Sequence, residues 1–179
     1  HDALPISYFL RGYLHFLLLR AYGEVPYIDY VIDPNDDMTS FTQLSAHEVA
    51  ERICADADEA YARVAAFNGG QEFGRVDRGA ALGLKAMARW IAATPMYNGG
   101  NFLDDTRQYK DEYGYDAGRW EAAKAAAKAV MEAKDNSGGP RYSLYTKHNE
   151  TNFGDLNNDN TNNSKVQRRL WDMFFDMDA

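Results

Sequence analysis

The side chains best suited to acid–base or metal chemistry here are four histidines, one cysteine and 27 carboxylates. Their spacing builds no reaction centre. The sequence holds no G-x-S-x-G elbow, no phosphate-binding P-loop and no H-E-x-x-H pair, so hydrolase, nucleotide and metalloprotease chemistry have no local signature. His1, His15, His47 and His148 do not stand at metal-ligand intervals. His47 falls in the first turn of a helix and His15 on an apolar helix, where histidines are structural or simply exposed. Asp155-x-Asn157-x-Asp159 begins like a calcium loop, but its sixth position is Asn160 instead of Gly and its twelfth is Val166 instead of Glu. A loop of Asx-turns accounts for it better. Paired carboxylates could serve as acid and base only through a spatial arrangement that spacing does not supply. No metal or cofactor is expected.

The stretch suited to binding is 97–116. Tyr97, Phe102, Tyr109, Tyr113 and Tyr115 share it with Asn98, Asn101, Asp104 and Asp105. Sugars present flat C–H faces, on which aromatic rings stack, and a rim of hydroxyls, which amides and carboxylates pair with. Tyr97, Asn98, Asn101, Tyr113 and Tyr115 are therefore the candidate ligand contacts. The same composition also suits a large loop folded on its own aromatic core, and both readings stand. Trp90 and Trp120 fall on helical patterns and are expected in the core, with Trp120 joining the third and fourth helices.

Hydrophobic periodicity predicts the frame that must carry these residues: helices over 7–22, 46–67, 78–94, 117–134 and 164–176. In the first, Leu10, Tyr13, Leu14, Leu17 and Leu18 form one stripe, widened by Phe16 and Leu19, so it is expected to be buried in a larger assembly. In the second, Ser45 and Glu48 make a capping-box pattern, and Val49, Ile53, Ala57, Ala60 and Val64 recur at helical spacing. Asp77 and Asp116 are good N-caps for the third and fourth helices. The third carries a stripe of Ala80, Leu84, Met87 and Ile91, and the small residues Ala81, Gly83, Ala86 and Ala88 that allow close approach. The fourth carries Trp120, Ala123, Ala127 and Val130 on one face. Helix starts near 7, 45, 77 and 117 recur at about the spacing of tetratricopeptide-type repeats. The fold class is all-α, a tetratricopeptide-like helical-repeat scaffold with long loops, in which the third and fourth helices pack as an antiparallel pair.

The 179 residues, 45% of them hydrophobic, are enough for one domain with a core. A net charge of -8 argues against nucleic acid, which needs a clustered basic surface. Cys54 stands alone, so no internal disulfide forms, and it reads as a small buried residue. The longest apolar run, 13–19, is bounded by Arg11 and Arg20 and is too short to span a bilayer. Residues 1–6 read like a translated sequencing adapter, which leaves 7–179 as a partial helical domain. On this expectation the leader, anchor and a later domain lie outside the sequence.

Several segments, in order, resemble the SusD/RagB family. LRGYLHFLLLRAYGEVPY at 10–27 is similar to the family's helix ending in a G-x-V-P turn. SAHEV at 45–49, ICADADEA at 53–60, GRVDRGAALGLKA at 74–86, ATPMYNGG at 93–100, WEAAK at 120–124 and YSLY at 142–145 follow in the family's order. The match covers nearly all of 7–145. The resemblance implies a tetratricopeptide-like, non-enzymatic binder of oligosaccharide or another nutrient. It would be lipid-anchored on the outer membrane and partnered by a SusC-like TonB-dependent transporter. The family's lipid-bearing cysteine is missing, since Cys54 is not it, and the resemblance assigns no pocket residue to a position in this chain. A different class also fits the helices alone: a structural helical-repeat adaptor that binds a protein partner.

Overall fold

The computed structural model describes residues 3–33, 35, 37–99 and 114–143. The chain divides into two units, His1–Tyr142 and Ser143–Ala179, and every element below lies in the first. The expected helix over 164–176, the calcium-like loop at 155–159, and two of the five candidate contacts, Asn101 and Tyr113, fall outside the described residues.

Four helices follow in order: α1 (Ala3–Tyr22), α2 (Ala46–Arg63), α3 (Arg78–Ala93) and α4 (Ala117–Met131), with short 3-10 turns at Met38–Ser40 and Gly70–Glu72. No strand is present among the described residues; isolated bridges join Val25 to Leu44 and Lys134 to Pro140. The fold is all-α, as expected. The caps are local chemistry. Ser45 Oγ accepts from Glu48 N–H while the Glu48 carboxylate accepts from Ser45 N–H, closing the capping box. Asp77 and Asp116 cap α3 and α4 through the amides of Ala80 and Gly118.

Three boundaries differ from the sequence expectation by three residues or more, each for a visible reason. α1 begins at Ala3 instead of residue 7; Pro5 sits in the first turn, where its missing N–H breaks no helical bond. α2 stops at Arg63 instead of 67. The backbone beyond it finds tertiary partners: Ala65 C=O accepts from Arg78 N–H at 2.9 Å, and Phe67 exchanges two hydrogen bonds with the Asn136 amide. α4 ends at Met131 instead of 134, where the chain turns back on itself. Asp135 N–H donates to Gly139 C=O and Arg141 N–H to Ala133 C=O, across a turn that puts Gly138 at φ +84°.

Each helix packs on the next, and α1 also reaches α3. Consecutive helices are antiparallel. Asp29, Asp56 and Arg11 tie α1 and its exit to α2; Glu51 pairs with Arg89 near the start of α2 and the end of α3; Arg141, after α4, reaches Asp77 at the start of α3. The core holds Phe16, Leu19, Val25, Tyr27, Val49, Ile53, Cys54 and Leu84, with alanines between the helices. A polar strut crosses it. Arg11 grips the buried Asp56 carboxylate (Nε–Oδ2 2.7 Å, Nη2–Oδ1 2.5 Å), and Tyr27 Oη donates to Oδ2 at 2.7 Å. Asp56 raises the Arg11 pKa further, and burial, aided by the same carboxylate, pushes the Tyr27 phenol well above its usual range. His15 stacks on Tyr27. Its Nδ1 donates to Arg11 C=O and its Nε2 accepts from Ile28 N–H, which fastens the chain after α1 to the helix.

Outside α2 the buried face coincides with the expected stripe only in part. In α1 the buried residues are Pro5, Gly12, His15, Phe16 and Leu19, while Leu10, Tyr13, Leu17 and Leu18 are exposed and Leu14 is 57% exposed. Gly12 decides this: a Cβ there would lie 3.2 Å from Asp56 Cβ and 3.3 Å from Leu84 Cδ2, so this narrow face lets the helices approach. Trp90 is 58% and Trp120 40% exposed, so neither is the core residue that periodicity suggested. In α3 the contacts come from Ala81, Leu84, Ala88 and Ala92, with Met87 exposed; in α4 they come from Ala123 and Ala126. Close alanine seams leave the indoles outside.

Candidate functional site

The loop that starts after α3 is held at its base by a small set of polar groups. Thr94 closes α3, its N–H reaching Trp90 and Ile91 C=O and its Oγ1 donating to Ile91 C=O at 2.6 Å. Pro95 ends the helical run, and Tyr97 and Asn98 turn back through N–H bonds to Thr94 and Pro95. Gly99 follows at φ +73°, and a Cβ there would lie 2.7 Å from the backbone N of Tyr115, so only glycine allows the two ends of the loop to touch.

Asn98 is the clamp. It is 3% exposed. Its Oδ1 accepts from Asp116 N–H at 2.7 Å and Arg119 Nη1 at 3.0 Å; its Nδ2 donates to Asp116 C=O at 3.1 Å and Ala93 C=O at 3.5 Å. An amide so engaged holds the loop's stem and has little left for a ligand. Tyr97 is half-buried against the core, with its hydroxyl beside Gly23. Tyr115 is 68% exposed. Of the described candidates, then, Tyr115 alone has the exposure a stacking platform needs, and the stem brings it against Gly99, next to Tyr97 and Asn98.

Under the stem lies a cleft that sequence reasoning missed, of about 400 Å³. His47 and Glu51 reach it from α2, Arg89 and Ala92 from α3, and Arg119 and Ala122 from α4, with Asp116 at the N-cap. His47 Nε2 donates to Tyr97 C=O at 2.6 Å, and Arg119 Nη1 reaches the same carbonyl at 3.3 Å and Gly114 C=O at 3.0 Å. Glu51 and Arg89 face each other in a two-bond ion pair, Nη2–Oε2 being 2.8 Å. Burial lowers the His47 pKa, with the Tyr97 carbonyl opposing that shift, and Glu51 raises that of Arg89. The six residues come from three helices spread over 76 positions of chain, so no local motif announces them. Among the described residues, no group of three or more His, Cys, Asp or Glu could hold a metal ion, and no helix is long and apolar enough to cross a membrane.

No family model matches the chain. It is 32% identical over 50 residues to SusD-like protein P2 of Formosa agariphila, a stretch covering 28% of this chain and 10% of that protein. Among solved structures it is similar to BT4246, with a TM-score of 0.62 and 26% identity over 72% of this chain and 23% of that one. The selenomethionine form of BT4246 gives a TM-score of 0.59 at 26% identity, over 75% and 23% of the two chains. The similarity thus spans a small part of each relative's length. Within those limits the chain is an all-α scaffold with sequence similarity to a SusD-like protein.

Proposed function

We propose that this chain is part of a non-catalytic, cell-surface glycan- or nutrient-binding protein that delivers oligosaccharide to a SusC-like TonB-dependent transporter. In this reading a lipid anchor outside the 179 residues holds it to the outer membrane. The observation that carries the reading is the 32% identity to a relative named as SusD-like. The exposed Tyr115 at the stem of an aromatic, Asn- and Asp-rich loop is in keeping with it. Tyr97, Asn98, Asn101, Tyr113 and Tyr115 remain the proposed loop residues, with Asn98 in a positioning role. A protein that passes its cargo on must release it, so affinities of micromolar or weaker are expected, about −8 kcal/mol or less favourable. The test is calorimetric titration of the protein expressed from its complete gene against an oligosaccharide panel, with co-purification of the transporter. Release of reducing sugar, or no binding across the panel, overturns the reading.

One observation favours the adaptor reading: the exposed apolar face of α1, from Leu10 to Leu18, is a surface that a protein partner could cover. Site-specific photocrosslinking from position 14 tests it. Crosslinks to a protein other than the transporter, together with an absence of glycan binding, would favour this alternative.

A further inference from the structure

We propose that the cleft between α2, α3 and α4 is a subsite for a single uncharged sugar residue, an inference that rests on the glycan-binding reading above and gives it a place. Its volume, about 400 Å³, falls in the range of small-molecule pockets, roughly 300–1,000 Å³. Ala92 and Ala122 give it an apolar lining without filling it, as a sugar's C–H face requires. The polar groups are already fixed. The Glu51–Arg89 ion pair holds two planar groups against each other, and Arg119 is pinned through its Nη1 by the Tyr97, Gly114 and Asn98 oxygens, so that its Nη2 is left to a ligand. A ligand hydroxyl therefore meets donors and acceptors whose ordering has been met by the fold. Charge selects the ligand class. Two arginines face two carboxylates, Glu51 and Asp116, and burial disfavours a charge on His47, so an anionic sugar finds no surplus positive charge. The chain's net charge of -8 adds long-range repulsion against acidic polymers. A neutral, polyhydroxylated residue fits; a uronate or a sulfated sugar does not.

The experiment is heteronuclear NMR on the full chain, following the His47 ring and the Arg89 and Arg119 Nε–H signals. The probes are neutral oligosaccharides of glucose, galactose, mannose and xylose, and oligosaccharides of glucuronate and galacturonate. Neutral probes should shift all three side chains, and uronates at equal concentration should not. Ala122→Leu, which fills the cleft, should weaken neutral binding at least tenfold; Arg89→Lys, which keeps charge but loses the two-bond pair, should also weaken it, and decides if the first variant fails to fold. Sugar binding that leaves these signals unmoved sinks the cleft and spares the glycan reading. Stronger shifts with uronates overturn the assignment to neutral sugars. Binding by none of the probes removes both.

Discussion

Four hydrogen bonds converge on the Asn98 amide, which is itself 3% exposed. Asn98→Ala should cost about 2–3 kcal/mol, because it orphans the Asp116 amide and carbonyl as well as losing its own bonds; thermal melting measures it. A change below about 0.5 kcal/mol would show that the stem is not held there. His47 gives the pH dependence. Its pKa is lowered in the fold, chiefly by burial, so the folded state favours the neutral ring. That contribution is complete above the unfolded histidine pKa, about 6.5, and is lost as pH falls through the lower folded value. The wild type should therefore lose more melting temperature between pH 7.5 and 5 than His47→Gln; equal losses would refute the assignment. Little of this was legible in the residues themselves. Asn98 was recognised as polar and loop-borne, but the same features describe a ligand contact and a stem clamp. Burial separates the two, and burial depends on Asp116 and Arg119, 18 and 21 residues away.

At the scale of the helix, α2 was readable and α1 was not. In α2, polar residues occupy one side, so Val49, Ile53, Ala57 and Ala60 could only be the inner face, and they are buried. α1 is apolar nearly all round, so its pattern predicts burial in a larger assembly without singling out the face that packs on α2. The packed face is the one that has Gly12 for close approach and His15 to satisfy the Ile28 amide. A bias toward size misplaced Trp90 and Trp120. Phe16→Ala should destabilise by about 3–5 kcal/mol, whereas Leu14→Lys combined with Leu17→Lys should stay within about 0.5 kcal/mol for each exposed position. Denaturant melts of the two variants decide between the faces; the reverse order would make the Leu stripe the packed face. Removing Arg11 tests the strut between helices: Arg11→Ala leaves the Asp56 carboxylate buried without its cation and should cost about 3–5 kcal/mol, read from the same melts.

For the molecule as a whole, caps and spacing were enough to place four helices in order, because Ser45, Asp77 and Asp116 act within a turn of where they sit. The packing of those helices rests on contacts between distant segments, the kind that sequence pattern alone does not rank. One such contact makes the protein its own stopwatch. Cys54 lies in the seam where α2 meets α3, its sulfur 4.0 Å from Lys85 C=O, and burial has pushed its thiol up to about 11. At pH 8 such a thiol is almost wholly protonated and unreactive, and the fold shields what thiolate there is. With no other cysteine in the chain to blur the signal, the colour released from an aromatic disulfide reagent counts separations of α2 from α3 one molecule at a time. Added urea should quicken that count in step with the loss of helical ellipticity. A count that runs fast while ellipticity holds would mark this seam as a hinge that opens on its own.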